Sequence, residues 1–397
     1  MMNFNKKVGE LTMSYENYKE RVIEYRRYLH QHPELSFKEY ETIKYIKSIL
    51  EQMENCTIES ITETSAVAIF NKGKGKKIGL RADIDALPVE EEADVEFKSK
   101  NDGVMHACGH DGHTASLLGA LWYINDHIEE FDNEIVGIFQ HAEELIPGGA
   151  REMVATGYFD DFDFIYGHHY WTLTEFGDID VKYNHASANS DLYHIEIIGN
   201  GGHASTPQLN LDPIIAGTQF INNIQTIVSR HVDPFNPVVV SNTVFHAGNV
   251  GSENVIPSKV LLGGSVRTLR QEDRQLVKEL LEKNLEQLKS LGYDYTLKYT
   301  DGYDSIMNNE QVTDYVRSIV EEYFPGELVS ERPMMGGEDF SAFSNRVPSC
   351  YAFIGAKAPG YDYNHHHPKF KLLEDVFEKG FKMFIEVARN GSKVQLN

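Results

Sequence analysis

The feature that most constrains this chain is an alternation of strand-like and helix-like segments, broken once by a self-contained block. Short apolar runs at residues 65–70, 77–82, 134–140 and 162–167 read as strands. Residues 18–30, 37–53, 112–126 and 148–156 read as helices. In the first of these, Val22, Tyr25 and Leu29 share one face, the spacing of an amphipathic helix, and Pro33 ends it. Such alternation indicates an α/β sheet with helices packed on its faces.

The pattern changes near Tyr183. Strand 191–199, helix 212–231, strands 237–247 and 259–269, helix 271–291 and strand 293–300 follow in the order βαββαβ, a complete small domain. After Asp301 the first pattern resumes, with helix 310–323, strand 350–354 and helix 371–388. A two-domain α/β chain is therefore expected. Residues 1–183 and 301–397 would form one domain, and 184–300 the inserted one. A length of 397 residues also favours two cores.

Charge narrows the partners. The net charge of −23 and pI of about 5.1 give a surface that repels nucleic acid and anionic membranes. Three cysteines, Cys56, Cys108 and Cys350, are too few for a disulfide framework and fit a reducing, cytoplasmic setting. The first twenty residues lack the apolar core of a signal peptide, and no run is long enough to span a bilayer.

Chemistry-bearing residues concentrate at segment ends. The densest group is His106-Ala107-Cys108-Gly109-His110-Asp111-Gly112-His113, just before a helix. Cys108 and His110 can be aimed at one point by one loop, and thiolate with imidazole suits zinc. His141-Ala142-Glu143-Glu144 follows an apolar strand, where α/β sheets gather ligands. One carboxylate there can hold a metal while the other takes a proton from water. Gly167-His168-His169 ends another strand, and His365-His366-His367-Pro368 lies near the C-terminus; spacing leaves open which histidine of each run ligates. Arg81-Ala82-Asp83-Ile84-Asp85 suits orientation of ligating histidines, with an ordinary polar loop as the competing reading. In the inserted block, His203 stands in a glycine-rich turn from which it could reach a developing oxyanion. Asn254 and Arg267 are there too, and an arginine at a strand end can grip a carboxylate. Gly336-Gly337-Glu338-Asp339-Phe340 reads as a turn opening a helix, with acids at its positive end.

Taken together, HACGHDGH, HAEE, RADIDALP, GGHAS, NVIP with GSVR, GGEDF and HHHP resemble the M20 metallopeptidase and aminoacylase superfamily over nearly the whole chain. They are most similar to its amidohydrolase branch, which includes hippurate hydrolases, auxin-conjugate hydrolases and N-acetyl-diaminopimelate deacetylases. The resemblance implies a zinc-exopeptidase-like catalytic domain with a ferredoxin-like lid and dimerisation domain inserted. It implies two divalent ions, Zn2+ or Mn2+, with Cys108 bridging them and His110, Glu144, His169 and His366 completing the ligand set. Glu143 would be the general base and later the general acid, His203 the oxyanion donor, and Asn254 and Arg267 the groups holding a substrate carboxylate. A cytoplasmic homodimer, or a homotetramer, would then hydrolyse N-acyl amino acids or short peptides. A broader dipeptidase on the same site, or a metal-binding protein without catalysis, is the alternative. The family's Trp-Pro pair after the Gly167-His168-His169 site is Trp171-Thr172 here, a departure.

Overall fold

The computed structural model describes residues 2–396, with the side chains of 2–14 and 16 left aside; positions 1 and 397 of the expected domains lie outside the described residues. Two compact units emerge. One runs to Ala186 and takes in Ile306–Arg332 and the chain from Asp339; the other is Ser187–Ser305 with Pro333–Glu338.

The first unit is built on an eight-stranded mixed sheet. Its strands lie in the order Thr57–Thr62, Ser65–Phe70, Glu134–Gln140, Lys77–Asp83, Phe164–Glu175, Ser349–Lys357, Ile179–Asp180, Leu328–Val329. The four central strands, Glu134–Gln140 to Ser349–Lys357, run parallel. They are almost wholly buried, which is why their sequences are continuous apolar runs rather than alternating ones. Helix His110–Asp126 packs with helices Met2–Gln31 and Val376–Asn390. The parallel strands leave the loops after Asp83 and Gln140 on one rim of the sheet, where α/β sheets bind ligands.

The second unit is a four-stranded antiparallel sheet in the order Val238–Ala247, Lys259–Thr268, Asn189–Ile198, Asp294–Tyr303, with helices Pro213–Thr226 and Gln271–Ser290. Helix and sheet share a core including Tyr193, Ile195, Phe220, Leu262, Leu281 and Leu285. Here strand residues alternate between buried and accessible, as a sheet covered on one face requires.

Several expected boundaries need correction. Strand Thr57–Thr62 went unseen, because as an edge strand with few buried residues it lacks an apolar run. The helix expected from residue 37 begins at Tyr40, since Phe37 takes a left-handed φ of 64°. The strand expected at 162–167 runs Phe164–Glu175 and carries both His168 and His169. The last helix starts at Val376 rather than 371, after a stretch that buries Phe370 and Leu372 outside helical geometry.

Candidate metal centre

The first unit brings together the residues singled out at its loop ends. Donor atoms of Cys108, His110 and His169 lie within 4.8 Å of one another, as do those of Cys108, Glu144 and His366, and of His110, Glu143 and Glu144. The turn that makes this possible is Gly109, whose φ of 87° lets Cys108 and His110 converge at the start of helix His110–Asp126. Two non-glycine residues with left-handed backbone flank the cluster, Ala142 (φ 52°) just before Glu143, and His366 itself (φ 67°). Held strain of this kind concentrates at functional sites.

Two of the imidazoles, those of His110 and His169, are oriented from behind. His110 Nδ1 sits 3.0 Å from the Asp85 carbonyl and 3.1 Å from its carboxylate, both acceptors, so Nδ1 carries the hydrogen. His110 Nε2 is then buried without a hydrogen-bond partner. His169 Nδ1 donates to the Tyr170 carbonyl at 2.7 Å, which turns its Nε2 towards Cys108 Sγ, 3.4 Å away. Asp85 also accepts from the Glu144 backbone N–H at 3.0 Å and from the Ser36 hydroxyl at 2.6 Å. Asp83 accepts from His113 Nδ1 at 2.6 Å and from Arg81 at 2.8 Å. Ligand-orienting partners of this sort are a regular part of metal sites.

The ambiguous histidine runs are separated by geometry. His168 points to the opposite face of its strand, against Phe384 and Tyr170, with both ring nitrogens buried and unpaired; burial drives its pKa well down. His365 has both nitrogens engaged, by the Tyr170 carbonyl and the Thr172 hydroxyl. His367 is exposed and stacks on Tyr363. His366 Nε2, by contrast, reaches 3.3 Å from Glu144 Oε1.

The electrostatics fit a cation. Burial pushes the Cys108 thiol well above its usual range, and the carboxylates of Glu144, Glu143 and Asp83 push it further. Burial alone would hold His110 neutral, yet Asp83, Asp85 and Glu144 raise it to about 10. Burial holds His169 neutral, its pKa driven well down. A neutral imidazole, an unpaired Nε2 and a thiol crowded by carboxylates form a donor set that a thiophilic divalent ion satisfies.

His203, Asn254 and Arg267 lie in the second unit. His203 is exposed, in a two-stranded ribbon where it pairs with Val255, and the Asn254 carbonyl accepts from Ala204. Ser205 donates from its backbone N–H (3.1 Å) to His203 Nδ1 and has its hydroxyl 2.8 Å away. Arg267 is half-buried on strand Lys259–Thr268, a separate element from His203 and Asn254. Burial lowers its pKa.

Sequence reasoning missed Glu39. Its fully buried side chain accepts from the backbone N–H of Ala142 (2.8 Å) and of Phe37 (3.0 Å), so it braces the turn that presents Glu143. Burial, reinforced by Asp85, raises its pKa to about 8. Nothing local marked it, for the partner that ties it to the site, Ala142, lies 103 residues away. The acids of 336–340 also do more than cap a helix: Asp339 is buried and accepts from Arg81, Gln140 and the Ala150 N–H.

Thiol, imidazole and carboxylate donors gathered at one rim of a parallel sheet form a site that could hold a metal ion, the layout of a metallohydrolase. The chain belongs to peptidase family M20/M25/M40, whose model matches residues 79–390, a family of hydrolases whose members related to this chain act on amide bonds. It is 42% identical over 292 residues to an N-acyl-L-amino acid amidohydrolase of Geobacillus stearothermophilus, covering 73% of this chain and 78% of that one. It is 39% identical to the hippurate hydrolase of Campylobacter jejuni, covering 83% and 86%. A Bacillus subtilis structure described as a dinuclear metal binding peptidase of the M20 family superposes with a TM-score of 0.82 at 32% identity, covering 96% and 100%. Among the described residues no helix is long and apolar enough to cross a membrane.

Proposed function

We propose that this chain hydrolyses the amide bond of an N-acyl amino acid or short peptide beside a free carboxylate, using two divalent ions, Zn2+ or Mn2+. Cys108, His110, Glu144, His169 and His366 would hold them. The observation that carries this reading is that those five donors fall into two triads sharing Cys108, with His169 and His110 in one and Glu144 and His366 in the other, and that His110 Nε2 is buried and unpaired. Bound there, such ions lower the pKa of a water towards neutrality and polarise the substrate carbonyl.

The chain's own groups do the rest. Glu143, whose Oε2 stands 4.0 Å from His110 Nε2, takes a proton from the attacking water and later hands it to the leaving amine. His203 donates to the carbonyl oxygen as it gains charge. With Ser205 N–H on its Nδ1, neutral His203 keeps its hydrogen on Nε2, the form a donor needs. Asn254 and Arg267 hold the substrate carboxylate, Arg267 as a fork. The Ser187–Ser305 unit thereby serves as lid and as dimer-forming domain of a cytoplasmic homodimer. The names of the relatives support the substrate class.

The test is hydrolysis by metal-stripped protein after adding back zinc, manganese or cobalt, with N-acetyl and N-benzoyl amino acids and dipeptides as substrates. Metal-restored release of a free amino acid is expected. No turnover with two ions bound would refute the reading.

A further inference from the structure

We propose that Thr172 and His365 form a latch that positions the two ligand-bearing segments, the strand with His169 and the loop with His366, against each other. The proposal rests on the metal-site reading above.

The Tyr170 carbonyl accepts two hydrogen bonds, from His169 Nδ1 at 2.7 Å and from His365 Nε2 at 2.9 Å. A carbonyl only accepts, so the His365 hydrogen is on Nε2 and its Nδ1 carries a lone pair. The Thr172 hydroxyl fills that lone pair from 3.0 Å, and Asn364 Oδ1 lies 3.4 Å from the same hydroxyl. The His365 ring stacks on Trp171 (centroids 4.7 Å apart, planes at 19°) and meets His169 edge-on at 5.0 Å. Two polar contacts and a stack thus fix one side chain.

The consequence appears one residue on. His366 holds a φ of 67°, which a non-glycine residue keeps only when its surroundings over-determine it. On one side His365 is anchored by its ring; on the other, the His366 N–H donates to the Ala107 carbonyl at 2.8 Å. Ala107 precedes Cys108, so the loop is tied both to the His169 strand and to the Cys108 turn. His366 Nε2 is held beside Glu144 as a result. The hydroxyl is the specifying part. Without it, His365 Nδ1 is left buried and unpaired, which favours a different ring orientation.

The test uses full-length Thr172→Val, Thr172→Ser and His365→Phe. Cobalt is the probe, with affinity read by competition against a chromophoric chelator and geometry by the visible absorption of the bound ion. Wild type is expected to take two ions. Thr172→Val and His365→Phe should bind one of the two 10–100-fold more weakly, with an altered spectrum, and Thr172→Ser should restore both. Wild-type affinity and spectrum in Thr172→Val would overturn the latch alone, as would a Thr172→Ser variant as weak as Thr172→Val. A wild-type chain that binds no cobalt would overturn the metal-site reading, and the latch with it.

Discussion

His169 Nε2 lies 3.4 Å from Cys108 Sγ, across 61 residues of sequence. Neither group has its hydrogen bonding satisfied by that contact in the ordinary way. The imidazole has already spent its Nδ1 hydrogen on the Tyr170 carbonyl, and the thiol is crowded by two glutamates. In the proposed metal centre this pair would share a cation, and its neighbours would determine what that cation is used for.

Glu143 is the proposed general base. Glu143→Gln keeps its size and removes its basicity, so the metal content should be unchanged while kcat falls by roughly 10²–10⁴. Glu144→Gln should instead lower metal occupancy, because Glu144 shares its contacts with Cys108 and His366. Metal analysis beside steady-state kinetics separates the two. Equal metal loss in both variants would remove the distinction between base and ligand.

Above about pH 6.5, where the buried neutral histidines His168 and His169 no longer differ in charge between the folded and unfolded chain, stability of the metal-free chain should fall with rising pH. His110 goes from an ordinary value of 6.5 to about 10 in the fold, so the folded chain holds a proton there that the unfolded chain releases. That stabilisation is complete below about pH 6.5 and is lost as pH climbs through about 10. Glu39, raised from 4.5 to about 8 by burial, works in the same direction across its lower window. Metal affinity should rise over the same range, since ligands must shed protons to bind. Denaturation of stripped protein across this range checks the sign, and Glu39→Gln should flatten the part below pH 8. A flat or rising profile in the stripped wild type would contradict this account.

Arg81 is buried between two carboxylates, 2.8 Å from Asp83 and 3.0 Å from Asp339, with Gln140 at 2.7 Å. Arg81→Met fills similar space but leaves two buried acids without their cation. A loss of about 3–5 kcal/mol is expected, the cost of breaking a buried pair from one side. Urea denaturation measures it. A loss below ~1 kcal/mol, the range of a surface ion pair, would show that water reaches these acids.

What could be read in the sequence follows physical lines. Buried strands announce themselves as apolar runs, so Ser65–Phe70 and Glu134–Gln140 are visible, whereas edge strand Thr57–Thr62 is not. Clustered motifs mark Cys108, His110, Glu143 and Glu144, because the residues of one loop share a neighbourhood. The choice between His168 and His169 depends on strand phase, which two adjacent histidines do not reveal until the pleat is placed. Glu39 and His365 act through backbone groups of distant segments, the Ala142 N–H and the Tyr170 carbonyl, and a backbone donor or acceptor has no residue signature.

Gly380 tests how tightly the strand behind the site is packed. It lies inside helix Val376–Asn390, where alanine would normally add about 1 kcal/mol of helix stability. A Cβ there would stand 2.0 Å from Tyr170 Oη and 2.6 Å from His168 Nε2. Neither can retreat easily. Tyr170 Oη is 2.5 Å from the Ser116 hydroxyl, and the His168 ring packs 4.3 Å from Phe384. Overpacking of about 1–3 kcal/mol should therefore outweigh the helix gain. Because Tyr170 and His168 flank His169, the strain should also reach the cluster. Gly380→Ala should melt earlier than wild type and bind metal more weakly. A raised Tm would mean that helix propensity prevails and that the strand carrying His169 has room to move.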